Sequence, residues 1–246
     1  MSRFSSLAPL ALAVPLTLPF LGVGTAWADS SATANLSPVA VNGSTGSGTA
    51  MTTVAGNTLE FTLAANGLAD GPHAAHIHFG ADARHECPVA SDDADGDTRL
   101  STTEGGPAYG PIVVSLTRSG DTSAKSGLAV DRFAAGTEIQ YMRGGVTVEP
   151  GVAAAIDAGE AVVVVHGVAY TGAKAEAASD LDPALPASAT DPAVCGVLAT
   201  SPSGGAATGA GGAAATSDTA LLGLGAAALI AALGAGPLVA RRLRQQ

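Results

Sequence analysis

The chain has 246 residues, 47% of them hydrophobic and only 4% aromatic, with a formal net charge of −10 at pH 7. This apolar content supports a folded core and excludes a chain that is disordered throughout. Between the two terminal segments, seven basic residues face all 21 acidic ones, which excludes nucleic acid as a partner and favours cations. Short Val, Thr and Ala runs separated by turn residues predict an all-β domain.

The first 28 residues predict an export signal. Arg3 gives a basic start, an apolar stretch follows over residues 7–23, and an Ala-Trp-Ala tripeptide ends at residue 28. Small residues in this arrangement are typical of a signal-peptidase site. We therefore expect residues 1–28 to be a signal peptide and residues 29–200 to form an exported, folded domain.

The expected domain contains about eight segments with the composition of β-strands. They are residues 50–54, 58–63, 73–79, 112–116, 126–132, part of 137–148, 161–166 and 195–199. Short Val, Thr and Ala runs of this kind, separated along the chain by Gly, Asn and Asp, suggest strands joined by turns. A short helix is expected near residues 152–158, and residues 170–191 are expected to form a long loop.

A dense histidine motif, HAAHIH, opens the third of these segments. Alternate side chains of a strand share a face, so His76 and His78 point the same way. A third imidazole, His166, ends the continuous apolar run VVVVH. Three neutral imidazoles on strands suit copper or zinc, and copper binds such sites more tightly at equal availability. The alternative is that these are core histidines bonded to backbone carbonyls.

Residues 93–104, with the sequence DADGDTRLSTTE, match the EF-hand calcium loop. The predicted ligands are the side chains or carbonyl at positions 1, 3, 5, 7, 9 and 12, namely Asp93, Asp95, Asp97, Arg99, Ser101 and Glu104. Thr98 holds position 6, where glycine is favoured, so a strained backbone or a lowered affinity is expected. Flanking helices are not expected, because Gly-Gly-Pro follows the loop at once. A solvated acidic loop is the alternative.

The two cysteines, Cys87 and Cys195, form an even pair in a chain expected to be exported. Outside the reducing cytosol, the simplest interpretation is one disulfide that closes a loop of 108 residues. Two free, buried thiols are the alternative interpretation.

The last 46 residues predict a tether to a membrane. Residues 201–218 are a Gly/Ala/Ser/Thr linker, and residues 219–240 carry no charge. Twenty-two residues are long enough for a transmembrane helix, and the basic tail 241–246 is expected on the cytoplasmic side. We therefore expect an extracytoplasmic domain anchored in the cell membrane. A low-complexity Ala/Gly tail is the alternative.

Taken in order, the motifs resemble the copper/zinc superoxide dismutase family. They are the HxxHxH string, a cysteine nine residues after His78, the VVH strand that ends at His166, and the CGV sequence that begins at Cys195. The resemblance covers most of residues 36–199, and the related CHRD domains share a similar histidine string. It implies an immunoglobulin-like Greek-key β-barrel or sandwich of about eight antiparallel strands.

The same resemblance implies a metal centre and a reaction. Its copper ligands would be His76, His78 and His166, with His73 bracing the site. It also implies that the two cysteines form the family disulfide. The implied reaction is the dismutation of superoxide by alternate reduction and reoxidation of copper.

The chain departs from the superoxide dismutase pattern in two places. No histidine lies between His85 and His166, where that family carries its zinc ligands, so no zinc site is expected. Pro192 stands where the family has an arginine that guides the anion, and the acidic charge opposes the attraction of superoxide. His85 is a candidate fourth copper ligand; the alternative is a surface histidine beside Glu86.

Two functions therefore remain open. The first is an exported, membrane-tethered, superoxide dismutase-like copper enzyme that lacks zinc. The second is a non-catalytic, CHRD-like extracytoplasmic module that binds calcium, copper or both. The three copper-type histidines favour the first function, and the missing zinc histidines and guiding arginine favour the second.

Overall fold

The computed structural model describes residues 29–200, the range of the expected exported domain. The expected signal peptide, linker, transmembrane helix and basic tail lie outside the described residues. Among residues 29–200, no helix is both long enough and apolar enough to span a membrane.

The domain is an all-β fold built on one curled antiparallel sheet, which confirms the predicted class. The strands are β1 (Ser30–Pro38), β2 (Ser47–Ala55), β3 (Thr58–Asn66), β4 (Pro72–His73), β5 (Ala75–His78), β6 (Ile112–Ser115), β7 (Ala134–Ala135), β8 (Glu138–Thr147), β9 (Val162–His166), β10 (Pro192–Val197) and β11 (Ala199–Thr200). Their order is β6-β5-β9-β10-β1-β2-β3-β8, β11 pairs with β1, and β4 pairs with β7 separately.

The first three strands bury one face only, as their sequences require. Burial alternates along β2 and β3, because successive side chains of a strand point to opposite faces. The two strands form a hairpin through Gly56 and Asn57, with Ala55 opposite Thr58. Gly56 has a φ of 59°, a conformation that glycine adopts without steric cost in two-residue hairpin loops.

Strands β5 and β9 differ from these, because every residue in both is buried. On one face, Ala75, Ile77, Val163 and Val165 join the main hydrophobic core. On the other face, Val162 and Val164 pack in a second cluster that includes both cysteines and Tyr109. Because β5 is covered on both sides, the side chains on its outer face are also shielded from water. His76 and His78 lie on this face and are buried.

Two segments differ from the sequence-based strand predictions. The strand Ser30–Pro38 was not predicted from the sequence. Its buried positions are mostly small residues such as Ala32 and Ala34, which give a weak hydrophobic alternation. Residues 126–132 form no strand; instead, short 3-10 turns occur there. Asp121 accepts hydrogen bonds from the hydroxyls of Ser123 and Ser126, and such local bonds compete with the extended conformation.

The helices are α1 (Thr102–Tyr109), α2 (Pro150–Ala158) and α3 (Ala187–Thr190). Helix α2 confirms the expected short helix, with a proline in its first turn and Gly159 in the left-handed conformation at its end. Helix α1 contradicts the expectation that no helix follows the acidic loop. The Ser101 side chain caps α1 and Glu104 returns the bond, a capping box that offsets the glycines that follow.

Candidate metal centre

Two neighbouring strands bring the three predicted copper ligands together. β5 and β9 run antiparallel, with His76 opposite Val164 and His78 opposite Val162. His166 lies two residues beyond Val164 and therefore shares its face. Strand pairing thus places all three imidazoles on one face of the sheet, away from the main core.

The three rings form a compact, buried cluster. One ring nitrogen from each of His76, His78 and His166 lies within 4.8 Å of the other two. The ring centroids are 5.1 to 6.0 Å apart, and no ring residue is more than 2% exposed. Nitrogen ligands that share one ion about 2 Å away lie a few ångströms from one another, so this cluster has the dimensions of a three-histidine site.

A backbone carbonyl fixes the protonation of each ring. The donor and acceptor pairs are His76 Nε2 with Gly127 O at 3.0 Å, His78 Nδ1 with Gly110 O at 2.8 Å, and His166 Nδ1 with Thr190 O. A carbonyl only accepts, so the hydrogen of each neutral ring resides on that nitrogen. The second nitrogen of each ring then carries a lone pair.

The second nitrogen of each ring has no hydrogen-bond partner. These atoms, His76 Nδ1, His78 Nε2 and His166 Nε2, are all buried. A buried polar atom without a partner costs on the order of 1–3 kcal/mol. Three of them in one cluster are an arrangement that a metal ion would relieve, since metal-bound histidines commonly donate their other N–H to a carbonyl.

Burial keeps the cluster neutral. Loss of hydration lowers the pKa of His78 to about 3 and that of His166 to about 4. It also lowers the pKa of His76 well below its usual range, and the neighbouring His166 and His78 add to this effect. Protons therefore do not compete for the three lone pairs at neutral pH.

His73 lies beside the cluster and contacts the backbone of one of its members. His73 Nδ1 is 2.8 Å from the carbonyl oxygen of His166, and Nε2 is 2.8 Å from that of Ala69. Gly167 has a φ of 110°, and a Cβ there would be 2.5 Å from His73 Nδ1. The ring thus packs where only glycine fits, and its contacts brace the end of β9.

His85, the candidate fourth ligand, is not brought into the cluster. Its Nε2 lies 2.9 Å from the carbonyl oxygen of Gly80, and its ring stacks on Phe79 at 5.3 Å between centroids. Its backbone has a φ of 58°. These contacts place His85 in the turn between the histidine strand and the disulfide.

The sequence analysis missed the groups that orient the ligands. Gly110, Gly127 and Thr190 act through main-chain carbonyls, so their side chains gave no signal. Tyr109 packs its ring against His78, with 4.5 Å between centroids, and donates its hydroxyl to the Thr102 carbonyl. Gly110 follows α1 and Gly127 follows a 3-10 turn. Only the folding of the chain brings their carbonyls to the imidazoles.

The acidic loop brings three of its predicted ligands together. One carboxylate oxygen from each of Asp93, Asp95 and Glu104 lies within 4.8 Å of the other two. Asp97 is not in this group; its carboxylate accepts a bond from the backbone nitrogen of Arg99 and lies 3.6 Å from the Arg99 side chain. The described residues thus contain a second, more exposed cluster of metal-type ligands.

The backbone of this loop is folded around its first residue. Asp93 accepts hydrogen bonds from the backbone nitrogens of Gly96 and Thr98. Thr98 has a φ of 66°, the left-handed conformation expected at position 6 of the loop. Ser101, at position 9, caps helix α1, and Glu104, at position 12, completes that cap.

A partly buried ion pair fixes the loop to the start of β10. The Arg99 guanidinium donates to Asp191 at 3.0 Å, and the Tyr170 hydroxyl donates to the same carboxylate at 2.9 Å. Burial raises the pKa of Asp191 to about 6, although both partners favour its charged form. Asp191 directly follows Thr190, so this pair holds the carbonyl that orients His166.

The expected disulfide is present. Cys87 and Cys195 are bonded, with their Cα atoms 5.7 Å apart. The bond joins the segment after the histidine strand to β10, and Cys195 packs against Val162 and Val164 on the outer face of β9. A disulfide is consistent with folding outside the reducing cytosol.

Comparison with known proteins gives a family match and a distant structural similarity. The model of the CHRD domain family matches residues 30–174. No curated protein matches the chain. Among solved structures, a mutant of superoxide dismutase 5 from Candida albicans is similar, with a TM-score of 0.40 and 14% identity over 74% of this chain and 97% of that chain.

Proposed function

Because this chain belongs to the CHRD domain family, we propose that its described domain is a copper-binding module of that family that works outside the cytoplasm. The observation that carries the proposal is the set of three buried imidazole nitrogens that lack hydrogen-bond partners. They belong to His76, His78 and His166, and one nitrogen from each ring lies within 4.8 Å of the others.

The donor set favours copper over other common ions. Three neutral imidazoles suit copper and zinc, and copper binds such nitrogen sites more tightly than zinc at equal availability. Calcium and magnesium prefer oxygen ligands. A bound copper ion would supply one-electron redox chemistry. The protein residues hold three lone pairs ready, exclude water from the cluster, and keep the rings deprotonated at neutral pH.

Metal analysis of the full-length chain tests this proposal. After equilibration with equimolar copper and zinc and removal of free metal, we expect about one copper per chain and little zinc. His78→Gln removes one ligand and should abolish the bound copper. His85→Gln is the matched control and should retain it. The proposal fails if the unaltered chain binds no copper, or if His78→Gln binds as much.

Dismutation of superoxide at the same site is the second candidate function. It is supported by the resemblance of the histidine and cysteine motifs to those of superoxide dismutases. In this reaction one superoxide is oxidised to dioxygen, while a second is reduced and takes up two protons to give hydrogen peroxide. The copper-loaded chain should then consume superoxide faster than His78→Gln does. Bound copper without consumption would favour the non-catalytic module.

We further propose that residues 93–104 bind calcium. The proposal is supported by the proximity of the Asp93, Asp95 and Glu104 carboxylates and by the left-handed Thr98. Calorimetric titration should give one calcium site with a dissociation constant at or above about 10⁻⁴ M. Glu104→Gln should weaken it at least tenfold, and Glu138→Gln, an exposed acid on β8, should not. Equal affinities would overturn the proposal.

The proposed location is the outer side of the cell membrane, with residues 219–240 as the anchor. The disulfide supports an oxidising compartment. The full-length chain should sediment with membranes and resist extraction at alkaline pH, and a chain that ends at residue 218 should be released. A full-length chain found in the soluble fraction would contradict the anchor.

A further inference from the structure

A cavity of about 230 Å³ lies beside the histidine cluster. Its inner wall includes His76 and His166, and its other walls are largely aliphatic, with Ile112, Leu128 and Leu181. The cavity therefore joins two of the proposed metal ligands to an apolar chamber that no step described so far requires.

Two exposed leucines stand at this cavity. Leu128 is 39% exposed and Leu181 is 45% exposed, which places both among the large exposed hydrophobic side chains of residues 29–200. They come from separate loops, one after β6 and one before α3, yet they line the same space. Apolar side chains that remain exposed and converge on one cavity are typical of a ligand site.

The size of the cavity selects a small ligand. Pockets for drug-sized molecules begin at about 300 Å³, and an apolar cavity of about 150 Å³ is sufficient to bind benzene. A volume of about 230 Å³ therefore matches a molecule with one aromatic ring and a small substituent.

The charges around the cavity disfavour an anion. Lys125 is the one lysine or arginine that lines it, and this residue is exposed. Asp180 and Asp182 flank Leu181 in the sequence and place negative charge near that wall. Aliphatic walls offer no replacement for the water that an anion would lose on entry. A neutral molecule avoids both costs.

We propose that this cavity binds a neutral, one-ring aromatic molecule of the size of phenol, with the ring against Leu128 and Leu181 and beside His76 and His166. Thr102 also lines the cavity; its hydroxyl donates to the Thr190 carbonyl, which leaves the oxygen lone pairs as acceptors for a phenolic O–H. The proposal rests on the proposed metal-binding function in one respect, because that function would place a metal ion beside the bound ring. Binding of the ring itself requires no metal.

The test uses phenol as the probe and the metal-free, full-length chain. Titration followed by amide chemical shifts should give one site with a dissociation constant on the order of 1 mM, with the largest shifts at residues of the cavity. Leu128→Lys and Leu181→Lys should each weaken binding about tenfold, because each removes apolar contact area. Met51→Lys is the matched control, since Met51 is 55% exposed and lies on β2, and it should bind phenol as the unaltered chain does.

Benzoate tests the preference for a neutral ligand. It should bind at least tenfold more weakly than phenol, and tighter binding of benzoate would overturn that preference. No phenol binding at 10 mM, or equal binding by all the variants with unchanged thermal melting, would overturn the site. Loss of copper binding in the metal analysis, with phenol binding intact, would reject the metal centre and leave the cavity proposal standing.

Discussion

Each histidine of the cluster has the features of both a core histidine and a metal ligand, the two interpretations that the sequence left open. One ring nitrogen donates to a backbone carbonyl, as in an ordinary core histidine, and the other nitrogen is buried without a partner. The carbonyl bond fixes which nitrogen carries the hydrogen and so determines which lone pair is free. A bond to the backbone is therefore part of the expected metal centre and is no evidence against it.

The buried histidines predict that the metal-free chain is sensitive to acid. Their folded-state pKa values, about 3 for His78 and about 4 for His166, lie below the unfolded value near 6.5. The unfolded chain thus binds more protons below pH 6.5, and the free energy of unfolding falls as the pH drops from 6.5 towards 4. Each such histidine contributes up to about 1.4 kcal/mol per pH unit.

Urea unfolding between pH 7.5 and pH 4.5 measures this dependence. As the pH falls, the free energy of unfolding should decline less steeply for His78→Gln than for the unaltered chain. The difference in slope should correspond to about one bound proton, because the same carboxylates titrate in both proteins. Parallel declines would show that His78 is not held neutral by burial.

Asn42 is a single side chain with a long-range structural role. It is 3% exposed, donates to the carbonyls of Leu100 and Pro192, and accepts from the Leu100 backbone nitrogen. Replacement by alanine leaves three buried backbone groups without partners. Asn42→Ala should lower the free energy of unfolding by about 3 kcal/mol, measured by urea denaturation. Asn57→Ala, at an exposed hairpin position, should change it by less than about 1 kcal/mol.

Helix α1 is the element that joins the two clusters of metal-type ligands. At its start, Thr102 donates its hydroxyl to the Thr190 carbonyl, the same oxygen that accepts from His166. Beyond its end, the Gly110 carbonyl accepts from His78. The acidic loop precedes the helix directly, so the position of α1 affects the orientation of two of the three proposed copper ligands.

Calcium should therefore stabilise helix α1. An ion held by Asp93, Asp95 and Glu104 would fix the loop residues that begin the helix. Hydrogen exchange followed by mass spectrometry should show slower exchange over residues 102–110 in 1 mM calcium than in calcium-free buffer. Glu104→Gln should remove this difference, and β2 and β3 should exchange at the same rate in both buffers. Equal exchange over 102–110 would reject the link.

The disulfide is a covalent cross-link between two distant segments of the domain. It joins residues separated by 108 positions and fixes the segment after β5 to β10, next to the metal centre. Without it, the unfolded chain gains the entropy of a large open loop. The paired change of Cys87→Ala and Cys195→Ala should lower the free energy of unfolding by about 4–5 kcal/mol, measured by urea denaturation. Reducing agent should destabilise the unaltered chain similarly and should have no effect on the double variant.

Features that depend on local pattern could be predicted from the amino-acid sequence. Alternation and turn residues predicted the all-β class and most of the strands, because a strand repeats every two residues. The i, i+2 spacing placed His76 and His78 on one face, and the even number of cysteines in a chain expected to be exported predicted the disulfide. Each of these follows from a few neighbouring residues or from their count.

Features that depend on contacts between distant segments could not be predicted in this way and are visible only in the folded chain. Pairing of β5 with β9 brought His166 to the other imidazoles, and the carbonyls of Gly110, Gly127 and Thr190 oriented the rings without any side-chain signal. A capping box at Ser101 formed helix α1 where the following glycines predicted none. The physical reason is that burial, hydrogen bonding by the main chain and the convergence of lone pairs are properties of the packed chain, which no window of its sequence contains.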